Sequence, residues 1–400
     1  MTFKQQEKKE SYFLSQPHQP FFVLGIVNSI LVLLFFALSY KGIIQLTTSS
    51  INFHVYSLIY IVFTNLFTGF VFTTYTRFCS VEAIEKKYYK NILLINLAGS
   101  SLYILGAFFK FEIMFAAMLT LALGHFLIVL KLRNIYNTSK ATNLQDAFWI
   151  LSAFSFGLVG NILMIISLLI PELSTFAILF SFFLYLIFLT FSIAQRMVPF
   201  FSHSQQEKNE KFVKRVFVLF VLKTILGTFN SYEYIKLAEI LIDLVLGFYL
   251  SWEFIRWKIY KFNTPSILWV LHLGLFWLPA AFFIDAVSLV GEIYLNTSFY
   301  FLGIHLIAIG FLTTILIGFG TRVTLGHSAQ SPHADTFVTA LFWFIQAVVL
   351  MRAIYSLSVG FGWGMNFLFD ISFSVWLLLF ILWGGKFLPT LIYGAKKNSP

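Results

Sequence analysis

The chain has 400 residues, 59% apolar and 20% aromatic, with 51 phenylalanines and only 11% charged residues, against about 25% charged in an ordinary globular chain. That composition excludes a soluble fold and makes lipid the solvent. The net charge of +10 sits in short loops between apolar stretches, a pattern of membrane orientation that excludes a nucleic-acid-binding face. A single cysteine, Cys79, excludes an internal disulfide and a cysteine-only metal site; it reads as a small filler at a helix end.

Residues 1–19 are polar and charged. The apolar stretch behind them has full membrane length and no small-residue cleavage pattern, so it reads as a permanent span and not a signal peptide. At about 20 apolar residues per crossing, the chain predicts an all-α membrane protein with twelve transmembrane helices: 20–40, 53–76, 91–109, 112–133, 145–170, 174–199, 213–229, 234–256, 266–289, 298–322, 334–358 and 367–393. Together they make one polytopic domain, 20–393, between an N-terminal segment (1–19) and a tail (394–400). A charged loop, 200–212, separates two halves of six spans, between which no internal repeat is evident.

Lys41, Lys110, Lys223, Lys236 and Arg352 fall on one side of this plan, and the other 22 of the 27 basic residues fall on the other. Basic loops stay in the cytoplasm, which predicts both termini there. Trp149, Trp257, Trp269 and Trp383 come near predicted cytoplasmic helix ends and read as an aromatic belt in the headgroup layer.

Ionisable side chains inside membrane helices are costly and mark functional sites. On this plan His54 (second span) and His305 (tenth) lie near the outer ends of their helices. His125 and His272 lie deeper, toward the cytoplasmic half, while His18, His203, His327 and His333 lie at or beyond the cytoplasmic boundary. Neutral imidazole is the commonest transition-metal ligand and a standard axial ligand of haem iron, and bundles build such sites from facing helices. Two layers are conceivable: an outer one with His54 and His305, and an inner one with His125, His272, His18 and His327. His54, His305, His272 and His327 are the foremost candidates as metal ligands. Hydrogen-bonded packing is the alternative role for each histidine. Arg322, at the end of an inward-running helix, suits the helix dipole or a haem propionate. Glu239 and Asp243, four residues apart on one face, read as ion-pair partners of Lys223, with a proton relay as the alternative; Asp285 and Asp370 are the other acids in or near the spans.

Five segments in register resemble the NnrS family. They are His18-Gln-Pro-Phe-Phe; His54-Val-Tyr with Thr68-Gly-Phe and Thr73-Thr; Arg196-Met-Val-Pro-Phe-Phe; Leu271-His-Leu-Gly; and His305-Leu, Gly310, Thr314 and Thr321-Arg-Val-Thr-Leu-Gly-His327. Tyr56 and Ser57 stand where many members carry a second histidine and a glutamate. The resemblance implies a multi-pass protein of the bacterial cytoplasmic membrane that contains haem and copper. It further implies that nitric oxide or a nitrosyl species is the partner, in nitric oxide metabolism or resistance to nitrosative stress. The scarcity of carboxylates along a proton path speaks against a reductase that consumes many protons. A twelve-helix secondary transporter with histidines in its pathway, and a scaffold whose histidines merely pack, are the other readings.

Overall fold

The computed structural model describes residues 11–259, 265–299 and 301–395. Residues 1–10 of the N-terminal segment and 396–400 of the tail lie outside them. Among the described residues every element is helical, and twelve helices are long. They are α1 (His18–Tyr40), α2 (Ser50–Phe78), α3 (Lys86–Phe109), α4 (Phe111–Asn137), α5 (Gln145–Ile166), α6 (Pro171–Phe201), α7 (Phe212–Thr228), α8 (Glu233–Arg256), α9 (Ser266–Leu295), α10 (Leu302–His327), α11 (Thr336–Gly360) and α12 (Phe367–Tyr393). Their ends carry the expected chemistry. The Ser49 hydroxyl accepts from the Asn52 amide at 3.1 Å to start α2, and the Asp335 carboxylate accepts from the Val338 amide at 2.8 Å to start α11. Gly394, at φ 84°, ends α12.

Ten of the twelve are long and apolar enough to cross a membrane by length and composition alone. In the other two, α7 and α8, Lys223, Glu239 and Asp243 are buried, while Lys214, Arg215 and Glu233 near the helix ends are exposed.

Three helices form the interior of the bundle. Of the membrane-length windows, 89% is buried in α2, 83% in α10 and 78% in α6, against 61% or less in the rest. Each of these three contains a π-helical stretch, Ser57–Phe63 in α2, Phe180–Ile187 in α6 and Leu306–Thr313 in α10. The wider turns recur in every fourth helix, a period that the sequence does not display. Hydroxyls help close them: Thr64 donates to the Ile59 carbonyl at 2.7 Å and Thr313 to the Ala308 carbonyl at 2.8 Å, each five residues back. Lipid gives helices no hydrophobic reason to associate, so packing and interhelical hydrogen bonds do the work, the latter at roughly 0.6 kcal/mol each. Tyr60 donates to Ser181 at 2.8 Å and Thr64 meets the Tyr185 hydroxyl at 2.7 Å, which ties the π turns of α2 to those of α6.

The predicted belt needs correction at three positions. Trp383 is fully buried and donates to the Thr321 hydroxyl at 3.1 Å, and Trp257 and Trp269 are also buried in the bundle. Their depth along the helices had suggested the headgroup layer, but their faces point inward. Cys79 does fill a buried corner at the end of α2.

Candidate functional site

The π-helical stretches of α2, α6 and α10 face one cavity of about 230 Å³. Leu58, Phe182 and Leu186, Ile309 and Thr313 line it from those stretches, and Phe36, Phe369 and Trp376 close it from α1 and α12. A π turn is wider than an α turn and recurs at functional sites; three at one depth leave room in an otherwise close-packed interior. Tyr40, Ile51 and Phe301 line the rim and are exposed, so the cavity is open there.

Its nitrogen-bearing groups are His54, His305 and Arg352, and the hydroxyls of Tyr40, Thr313, Tyr355 and Ser372 also belong to its lining. The two imidazoles arrive from α2 and α10, as the sequence expected of an outer pair. His54 lies against the Phe36 ring, centroids 4.1 Å apart. His305 is held at both nitrogens. Its Nδ1 is 2.9 Å from the Phe301 carbonyl oxygen. Arg352 Nη2 comes within 3.1 Å of Nδ1 and 3.3 Å of Nε2. When Nδ1–H donates to Phe301, the lone pair on Nε2 faces Arg352 Nη2, and Nε2 can ligate a metal only where the guanidinium turns aside to another acceptor. Phe301 itself adopts a left-handed backbone, φ 58° and ψ 37°. For a bulky residue this costs about 1–3 kcal/mol and persists only where its surroundings enforce it. Here it aims the Phe301 carbonyl at His305.

Arg352 is the participant that sequence reasoning missed. In the sequence it is one of five basic residues on the sparse side. Its signal was present all the same: an arginine in the middle of the apolar run of α11. It is buried, hydrogen-bonds Ser356 and lies 5.2 Å from the Tyr355 ring centroid.

A second pair assembles at the opposite end, beside the chain termini. The His18 and His327 rings stand 4.8 Å apart, centroid to centroid. His18 Nδ1 is buried without a hydrogen-bond partner. His18 is buried and His327 half-buried. A Cβ on Gly69 would stand 2.9 Å from Phe21 Cβ and 3.1 Å from His18 Cα, so α1 and α2 touch there only because residue 69 is glycine. From below, the Tyr12 hydroxyl reaches the His327 carbonyl at 3.5 Å.

The remaining candidates stand apart from both pairs. His125 has Nε2 2.9 Å from the Phe154 carbonyl and sits among Tyr60, Phe154 and Tyr185. His272 has Nε2 2.7 Å from the Ser202 hydroxyl. Arg322 lies over the Phe201 ring at 4.0 Å; 17 residues beyond His305, roughly 25 Å along a helix, it belongs to the other end. The proposed inner layer is therefore one pair and two separate histidines. His203 and His333 lie in loops between helices, His203 in a left-handed backbone (φ 50°) and His333 bonded to Ser331 at 2.5 Å.

The expected ion pair is present and larger than expected. Lys223 Nζ lies 2.9 Å from Glu239 Oε1, 2.7 Å from Asp243 Oδ2 and 2.7 Å from Asp285 Oδ2. The three carboxylates, each offering one oxygen within 4.8 Å of the others, have the spacing of a metal site. The ammonium of Lys223 takes the place a cation would have.

None of the curated proteins compared with the chain matches it. The family model described as NnrS protein matches residues 12–393, from the tyrosine under the His18–His327 pair to the last turn of α12. With all five sequence segments inside that match, the chain belongs to the NnrS family.

Proposed function

We propose that the protein binds haem and copper in the cytoplasmic membrane of a bacterium, both termini facing the cytoplasm, and that it takes up nitric oxide in its metabolism or in resistance to nitrosative stress. The observation that carries this reading is the convergence of His54, His305 and Arg352 on one π-lined cavity. Two imidazoles from separate helices, apolar aromatic walls and a guanidinium suited to a carboxylate match the chemistry of a haem and its propionates. The enclosed volume exceeds that of a cavity that holds benzene, about 150 Å³; a haem is larger and would reach the open rim. His54 and His305 would hold the iron, and Arg352 a propionate.

His18 and His327 form the second donor set. Two imidazoles, one with a buried and unpartnered Nδ1, suit copper. When bound, the metals would supply the coordination chemistry by which nitric oxide is taken up. The chain's own part is to fix the His305 tautomer through the Phe301 carbonyl, to keep Arg352 beside it, and to exclude water with aromatic walls. Nitric oxide is small and apolar, so it reaches such a cavity through lipid without a polar channel.

The test is the optical spectrum of detergent-purified protein, oxidised and dithionite-reduced, with metal analysis of the same sample. A Soret band that shifts on addition of nitric oxide is expected. A colourless protein without iron or copper, despite haem supply during expression, overturns the reading.

A further inference from the structure

We infer that Lys223, Glu239, Asp243 and Asp285 form a proton-binding site inside the second half of the bundle, separate from the histidine pairs. The four groups come from α7, α8 and α9, with three carboxylates around one ammonium at 2.7–2.9 Å. Lys223 and Asp243 are almost wholly buried, at 3% and 0% side-chain exposure. Fully ionised, the group carries one positive and three negative charges. One carboxylate is neutralised by the lysine, and two are left uncompensated where each buried charge is expensive.

A second observation points the same way. Glu239 Oε2 and Asp243 Oδ1 are buried and accept no hydrogen bond. An ionised carboxylate at such a place seeks donors at both oxygens, whereas a protonated one supplies a hydroxyl and needs fewer. Two protons bound among the three carboxyls balance the charge and lower the number of donors the cluster needs. One carboxylate then pairs with Lys223 and two carboxylic acids complete the cluster.

Among the described residues, no further cation is paired with the cluster. The next charged layer on α8 and α9 is Lys236 with Glu292, paired with each other at 3.4 Å. From α6, Leu179 is the neighbour at this end of α7. α11 carries Arg352, turned toward His305. From α10, the cluster meets the backbone at Gly303, where a Cβ would stand 2.1 Å from Asp285 Oδ1. Asp285, with 17% of its side chain exposed, is the most open member and the route by which protons exchange. The site is thus a buried store of two protons, at the same end of the bundle as the His54–His305 cavity.

The test is infrared spectroscopy of the full-length protein in detergent at neutral pH, where surface carboxyls are ionised. A carbonyl band of protonated carboxylic acid is expected, of an area equal to two carboxyls. Asp243→Asn and Glu239→Gln should each reduce that area by about half. Asp285→Asn should slow hydrogen–deuterium exchange of the remaining band. The wild-type spectrum needs no variant to fold, and its lack of the band overturns the proposal. So does disappearance of the band on adding zinc alone with stoichiometric metal bound, which would make the carboxylates metal ligands. Survival of the full band in both variants overturns the assignment to these residues.

Discussion

The two histidine pairs are alike in composition and opposite in setting. His54 and His305 look into an open cavity, while His18 and His327 stand 4.8 Å apart in close-packed surroundings. Both pairs join a helix of the first half to α10. The difference lies in the backbone around them. Near His54 and His305 the helices unwind into wider π turns and separate, whereas at His18 the bare Gly69 lets α1 and α2 touch. Identical side chains thus meet very different room, and the spacing of helix axes decides which pair can take a large ligand. The open pair suits a macrocycle and the closed pair at most an ion.

The largest effect that would break this contrast comes from the histidines. His54→Ala and His305→Ala should each abolish the haem band of the purified protein. His18→Ala and His327→Ala should leave it in place and lower bound copper instead. The reverse pattern in spectra and metal analysis would exchange the two assignments. Next in size, Arg352→Gln should weaken haem retention by about 10–100-fold, the usual range for a group that supports a metal site without binding the metal; haem transfer to apomyoglobin measures it.

At the closed end, Gly69→Ala forces a methyl within 2.9 Å of Phe21 Cβ and should destabilise by about 1–3 kcal/mol, read from thermal unfolding in detergent. The haem band of the folded fraction should not change. The smallest effect is at Asp335, outside the spans. Partial burial disfavours its carboxylate, but the hydrogen bonds from Lys386 and the Val338 and Phe337 amides, with the Lys386 charge, outweigh this and hold the carboxyl below its ordinary value. Its contribution is complete above the ordinary carboxyl range and fades as pH falls through the lowered value. Asp335→Ala should cost about 1 kcal/mol as a lost helix cap at neutral pH, and the cost should shrink as pH falls below the ordinary carboxyl range.

Depth was legible in the sequence; facing was not. The asymmetry of lysine and arginine put His54 and His305 at one level and His18 and His327 at the other, and the structure pairs them accordingly. Hydrophobic runs that are apolar all round carry no mark of which side turns inward. Position along a helix therefore groups His125 and His272 with His18 and places Trp257, Trp269 and Trp383 in a belt, whereas the fold separates the histidines and turns the tryptophans inward. The π turns are invisible for a related reason, since an apolar run such as Leu306–Thr313 has the same composition however tightly it winds. Arg352 was legible as an intramembrane charge, but its partner came from another helix. The Lys223 cluster was half-legible: Glu239 and Asp243 share a face by spacing, while Asp285 joins them only through the fold.

The π turns also bear on how the chain tolerates changes of length. Removing one residue from an α-helix rotates everything beyond it by about 100°, which ordinarily ruins the packing of both parts. Within Ser57–Phe63 or Leu306–Thr313 a deletion has somewhere to go, because the wide turns can tighten into ordinary ones. The helix would survive, but His54 or His305 would swing relative to the rest of its helix and the cavity would narrow. In these two segments a one-residue deletion would yield a folded membrane protein that has lost its ligand chamber, and insertions at the same points are a simple route by which such a chamber arises.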